Sequence, residues 1–161
     1  LVLDKAAFPR DKTCGDGLTT AALRLIEQLG VDLRRLPGYM AVRETVLVGP
    51  DGRHVTLPLA DDGDHAAVVP RVELDAAIVD TARRSGVEVR DGVAVTGIET
   101  NGDGITATTD GDGSVRARFL IAADGHYSFV RRCLRPPGWP VPALSGTARK
   151  ITLPSTRRPP S

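Results

Sequence analysis

The run Phe119-Leu120-Ile121-Ala122-Ala123 is the longest stretch of strictly apolar residues in the chain, and it breaks directly into Asp124-Gly125. Five consecutive apolar residues cannot alternate between a core and water. The run therefore predicts a strand, within 115–123, that is buried on both faces as in a parallel sheet flanked by helices. An acidic glycine turn at the carboxyl end of such a strand, opening a short helix over 128–134, is where open α/β sheets bind ligands. Asp124 has two uses there: accepting a hydrogen bond from a ribose hydroxyl, or capping the helix. The run falls far short of the ~20 residues of a membrane span, and no charged stretch followed by an apolar one opens the chain. A soluble, cytoplasmic protein with at most a peripheral membrane contact is expected.

Glycine and proline punctuate the rest. The chain opens as a strand at Leu1-Val2-Leu3-Asp4, and Pro9, Gly15 and Gly17 mark a loop over 5–17. Leu18, Ala22, Leu25, Ile26 and Leu29 then fall on one face of a helix that Gly30 ends in the left-handed conformation. Stretches 41–48 and 53–59 flank Gly49-Pro50-Asp51-Gly52, the signature of a hairpin. A second helix spans about 72–85, with Glu73 and Asp75 near its start and Arg83 and Arg84 at its end, matching the helix dipole. Strands follow at 87–89, 94–99, 105–109 and 115–123, the last three separated by Asn101-Gly102-Asp103-Gly104 and Asp110-Gly111-Asp112-Gly113. The fold class is α/β, a parallel sheet with helices interrupted by an antiparallel β insertion and meander.

Charge and cysteine content exclude several functions. With 21 basic and 20 acidic residues the net charge is +1, no footprint for nucleic acid. The balance is uneven, however: seven basic groups and no acid lie in 131–161, leaving a net −6 before them. That tail also holds seven of the 12 prolines, and it reads as a connector to a further domain or an unstructured end. Cys14 and Cys133 are too few and too far apart for a disulfide framework or a zinc site. The loop from Asp110 lacks the Gly and Glu that a calcium site needs, having Val115 and Ile121 there. The chain contains neither a GxxxxGK[ST] loop nor a complete GxGxxG.

Two segments concentrate chemistry. In Phe8-Pro9-Arg10-Asp11-Lys12-Thr13-Cys14-Gly15-Asp16-Gly17-Leu18, glycine, cysteine and charge precede a helix. Exposed N–H groups and absent side chains at such a place let a flat or anionic ligand approach the backbone. A plain glycine-rich connection, with Asp16 capping the helix, accounts for the same residues. The second segment is the Asp124-Gly125 turn.

Taken together these segments carry a resemblance. Asp4-Lys5 followed by Phe8-Pro9-Arg10-Asp11-Lys12-x-Cys14-Gly15-Asp16-Gly17-Leu18-Thr19 resembles the opening of the geranylgeranyl reductase family of flavoproteins. Arg71-x-x-Leu74-Asp75, with Ala82 and Gly86 after it, resembles that family's Arg-x-x-(Phe/Leu)-Asp helix. Ala123-Asp124-Gly125-x-x-Ser128-x-Val130-Arg131-Arg132 resembles the Asp-Gly motif of the wider hydroxybenzoate hydroxylase group. The resemblance implies a partial Rossmann-like FAD/NAD(P)-binding fold over 1–134, with 135–161 as tail or connector to a substrate domain. It implies FAD as cofactor, NAD(P)H as electron donor, and hydride transfer to a double bond of an isoprenoid lipid or quinone. A flavin monooxygenase or halogenase, or a remnant that does not retain flavin, are the alternatives.

Position by position, the resemblance puts Asp4 where an acid, more often Glu, binds the adenosine ribose at the end of the second strand, with Lys5 beside it. Arg10, Cys14, Gly15 and Gly17 fall in the loop beside the flavin, where Cys14 is the one candidate reactive group. Arg71 faces the cofactor, Val95 meets the adenine through its backbone, and Asp124 and Gly125 lie near the flavin. The family's GxGxxG precedes Asp4 and its Gly-Asp-Ala motif lies downstream, and neither is in these 161 residues. The expectation is a fragment of a longer flavoenzyme that by itself holds FAD weakly or not at all.

Overall fold

The computed structural model describes residues 1–13, 15–60, 63–111 and 113–135. They fall into two compact units, Leu1–Gly92 and the residues from Val93 on.

In the first unit the order is β1 (Val2–Asp4), β2 (Gly17–Thr19), α1 (Thr20–Gln28), a 3-10 turn (Leu33–Arg35), β3 (Met40–Ala41), β4 (Glu44–Val48), β5 (His54–Pro58), β6 (Ala66–Val68), α2 (Arg71–Arg84) and β7 (Val89–Asp91). β1 and β7 pair in parallel, Val2 opposite Val89 and Asp4 opposite Asp91, so two carboxylates sit side by side at the carboxyl ends of the strands. β6 lies between β2 and β3, antiparallel to both. β4 and β5 form the expected hairpin, closed by the Gly49 N–H donating to the Arg53 carbonyl at 2.7 Å. Val46, Leu47, Val48, Val55 and Leu57 on that hairpin are exposed.

The core of this unit is Ile26, Val31, Leu33, Val69 and Leu74, with Leu18, Leu23, Leu36, Tyr39, Ala77 and Ile78 packed against it. Burying each large aliphatic side chain contributes about 1.5–3 kcal/mol. α1 joins this core by a narrower face than its periodicity predicts. Ile26 is buried and Leu23 packs on the cluster, whereas Leu25 and Leu29 are about 60% exposed. Leu18 belongs to β2 rather than to the helix, which shifts the contacting face toward Leu23. Thr19, not Asp16, caps α1 by accepting from the Ala22 N–H. Gly30 follows with φ of +81°, the left-handed cap that the sequence predicts. α2 starts and stops within a residue of its predicted bounds, and its Glu73 holds the Gly38 N–H at 2.8 Å. The strand after it comes two residues later than 87–89, because Gly86 and Val87 complete the turn onto Arg83 and Ala82.

The second unit is a meander of β8 (Val95–Asn101), β9 (Gly104–Thr109) and β10 (Ser114–Ala117), followed by α3 (Phe129–Cys133). Ile105 and Ala107 of β9 and Val130 of α3 are buried in it. The predicted strand over 115–123 is corrected here: β10 stops at Ala117. Residues 118–127 join no strand among the described residues, and Phe119 and Ile121 are 80% and 87% exposed. An apolar run becomes a buried strand only where a neighbouring edge and covering helices receive it, and none of the described strands does so.

Candidate functional site

Four charged side chains from three distant segments meet at the carboxyl end of the β1–β7 pair. Arg10, from the loop after β1, places Nη2 3.6 Å from Asp4 Oδ2 and Nη1 3.3 Å from Asp75 Oδ2. Arg71 grips Asp75 with both arms, Nε to Oδ1 and Nη2 to Oδ2, each at 2.8 Å. The order Asp4–Arg10–Asp75–Arg71 alternates in sign and sums to zero. All four side chains are no more than 30% exposed, so the ion pairs are less screened than surface pairs. The guanidinium of Arg10 also lies 5.0 Å from the ring centroid of Phe8.

The loop carrying Arg10 is fastened by acids at the strand ends. Asp4 accepts from the Ala6 N–H at 2.9 Å, and Asp91 accepts from the Phe8 N–H at 3.0 Å. Asp91 also pairs with Arg83 at 3.1 Å. The Phe8 N–H and the Arg83 cation together hold the Asp91 carboxyl below its ordinary value, against the opposing effect of burial. Asp16 serves α2: its carboxylate accepts from the Arg71 N–H at 3.2 Å, satisfying one donor at the start of that helix. The pairing of β2 with β6 brings it there, since the Asp16 carbonyl accepts from the Val69 N–H at 3.0 Å. The loop thus runs into a strand rather than straight into the amino end of α1, and the backbone donors expected there lie beyond Thr19.

Asp4, Arg10 and Arg71, which the resemblance assigns separately to the cofactor, fall in one ionic cluster, and Lys5 follows Asp4 at the exposed edge. Gly15 and Gly17 are exposed, and a Cβ added at either would meet nothing within 4 Å, so they border open space. Cys14 lies outside the described residues. Asp75 completes the cluster, although the sequence marked it only as a motif residue and an acid matching the helix dipole; its i+4 spacing from Arg71 was the available signal. Asp91 had no local signal, because its partner Phe8 is 83 residues away.

In the second unit Val95 lies on β8 opposite Thr109. Ser128 caps α3, Asp124 accepts from the Val130 N–H at 3.1 Å beside it, and Gly125 turns the chain with φ of +80°. Burial raises the Asp124 pKa, but bonds from the Ser128 side chain and the Val130 N–H outweigh it, and the carboxyl titrates below its ordinary value. Arg131 and Arg132 donate to the carbonyls of His126 and Tyr127, which closes the turn. Cys133 is an exposed free thiol.

A further polar cluster lines an open groove of about 390 Å³ in the first unit. Asp64 there accepts from the Tyr39 hydroxyl at 2.6 Å and from Arg34 Nε at 3.0 Å, with Arg43 at 3.8 Å. The Tyr39 bond, with the arginines, lowers the Asp64 pKa, while burial and the same carboxylate raise that of Tyr39. Among the described residues no group of His, Cys, Asp and Glu could hold a metal ion, and no helix is long and apolar enough to cross a membrane.

The dinucleotide that the resemblance implies needs an acceptor for a ribose diol, positive charge for a pyrophosphate, and backbone free of side chains. Asp4 offers a carboxylate acceptor at a strand end with part of its surface open. Arg10 and Arg71 supply charge beside it, and Gly15 and Gly17 leave room, so the residues fit. Comparison with known proteins agrees. A family model described as "FAD binding domain" matches residues 1–147. A menaquinone reductase of Mycolicibacterium smegmatis is 34% identical over 146 residues, covering 83% of this chain and 33% of that protein. A rifampicin monooxygenase of Streptomyces venezuelae is 30% identical over 138 residues, covering 83% of this chain and 28% of that protein. The crystal structure of p-nitrophenol 4-monooxygenase PnpA from Pseudomonas putida superposes with a TM-score of 0.69 at 21% identity, over 83% of this chain and 36% of that one. The chain therefore spans about a third of the length of these relatives. Its mixed α/β architecture is part of the Rossmann-like fold of flavoproteins, and the chain belongs to the FAD-binding domain family of flavin-dependent oxidoreductases and monooxygenases.

Proposed function

We propose that this chain supplies the adenosine side of a FAD site in an oxidoreductase that reduces a double bond in the isoprenoid chain of a lipid or quinone. The observation that carries the reading is the convergence of Asp4, Arg10, Asp75 and Arg71 at the carboxyl end of β1 and β7, where α/β sheets bind nucleotides. Asp4 accepts from the ribose hydroxyls, and Arg10 and Arg71 offset the charge of the pyrophosphate. Lys5, Cys14, Gly15 and Gly17 border the cofactor along the loop, and Val95, Asp124 and Gly125 belong to the same proposed set. Residues 1–134 form the flavin-binding portion, and 135–161 lead toward a substrate domain. Bound FAD supplies the hydride chemistry, with NAD(P)H as the source of electrons; the protein orients the flavin and excludes water from it.

The similarity to a menaquinone reductase supports the quinone branch. Similarity to a rifampicin monooxygenase supports a second reading, oxygen insertion by a flavin-dependent monooxygenase. One experiment separates them. The protein as its host makes it is reduced anaerobically with NADPH in the presence of an isoprenoid quinone, and the products are weighed by mass spectrometry. Once the quinol ring has been reoxidised to the quinone, a product still heavier by a pair of hydrogens, carried in its isoprenoid chain and formed without oxygen, is expected. A product that forms only in air and gains an oxygen atom would establish the monooxygenase instead.

A further inference from the structure

Asp75 has no assigned role in the flavin site, yet its carboxylate touches both arginines of the cluster. Its carboxylate is 11% exposed, with Arg71 at 2.8 Å on each oxygen and Arg10 at 3.3 Å on Oδ2. The position is demanding. Arg71 is the first residue of α2, where the helix dipole disfavours a cation. Asp75, one turn later on the same face, offsets that penalty and fixes the plane of the guanidinium through a two-bond grip. Arg10 arrives from a loop 65 residues away in sequence and reaches the same carboxylate, while its other nitrogen faces Asp4.

We infer that Asp75 is a positioning residue: it does not touch the cofactor, but sets Arg10 and Arg71 at the angle from which they meet the anionic part of a dinucleotide. The inference rests on the flavin reading above. Without Asp75 the two cations repel each other and lose a common anchor, so their charge remains but their geometry does not. Recognition of a pyrophosphate by guanidinium groups depends on that geometry, because the paired N–H groups must point in parallel.

The test compares the unmodified protein, as its host makes it, with Asp75→Asn and Asp75→Glu. Dissociation constants for FAD and riboflavin are measured by flavin fluorescence, and thermal midpoints are recorded beside them. Riboflavin lacks the phosphates and the adenosine, so it reports on the fold and the ring site alone. Asp75→Asn should weaken FAD about tenfold or more and change riboflavin by less than about twofold. Asp75→Glu, which still reaches Arg71 at i+4, should recover most of the FAD affinity. FAD binding that is unchanged or tighter in Asp75→Asn would overturn the inference, since added positive charge would then help without positioning. Equal loss of FAD and riboflavin would also overturn it, making Asp75 a residue of the fold. Failure of the unmodified protein to bind FAD at all would instead overturn the flavin reading, and the role of Asp75 with it.

Discussion

Asp91 shows how a single carboxylate shapes this site without touching a ligand. It ends β7 opposite Asp4, and by accepting from the Phe8 N–H it ties down the loop that delivers Arg10. Its pKa lies below the ordinary aspartate value of 3.8, so its stabilising effect is present above that pH and fades as the pH falls through the lowered value. Asp91→Asn should lower the urea midpoint at pH 7, and the gap from wild type should narrow as the pH falls below 3.8 and through the lowered value. Urea titrations at neutral pH and across that fall check this; a gap that persists in acid would mean that charge is not the cause. Residues at this scale were legible only where their partners were near in sequence. The Arg71–Asp75 pair shows in its i+4 spacing, whereas the helix caps proved to be Thr19 and Ser128 rather than the expected Asp16 and Asp124. Asp16 was misread as a cap of α1 because only the β2–β6 register reveals that it faces the start of α2. Asp91 and Phe8 carried no mutual signal at all.

Among the elements, α1 and the segment after β10 separate local pattern from tertiary context. The periodicity of α1 is helical, but its spacing could not tell which of two adjacent leucine-bearing faces meets the core. Ile26 is buried and Leu25 is not, so Ile26→Ala should cost about 2–5 kcal/mol, and Leu25→Ala no more than about 0.5 kcal/mol. Chemical denaturation of both variants tests this, and comparable losses would restore the wider face. α2, the β4–β5 hairpin and the meander were legible because glycine turns and charged helix ends mark them locally. The run at 119–123 was not, because composition shows only that a segment is apolar, not whether another strand pairs with it. Its amides should exchange with deuterium within the time of unstructured backbone, while those of β9, paired on both sides, remain protected. Protection of Phe119 to Ala123 equal to that of β9 would show that a strand forms there in solution.

At the scale of the whole molecule, the chain corresponds to about a third of its curated relatives, and the proposed cofactor site lies at the end of a short parallel pair. The three motifs legible in the sequence are spread from Asp4 to Arg132, and the structure joins the first two into a single ionic cluster at the strand ends. The central claim is that this cluster receives the adenosine side of FAD, and Asp4 tests it most directly. A bond from a neutral hydroxyl to a charged acceptor contributes about 1.5–3 kcal/mol. In the protein as its host makes it, Asp4→Ala should therefore weaken FAD by about tenfold to a hundredfold, measured by fluorescence titration. Asp4→Glu should be tolerated, and riboflavin, which lacks the ribose, should bind Asp4→Ala as it binds the wild type. Equal losses for FAD and riboflavin, or no loss for either, would contradict the placement of adenosine at Asp4.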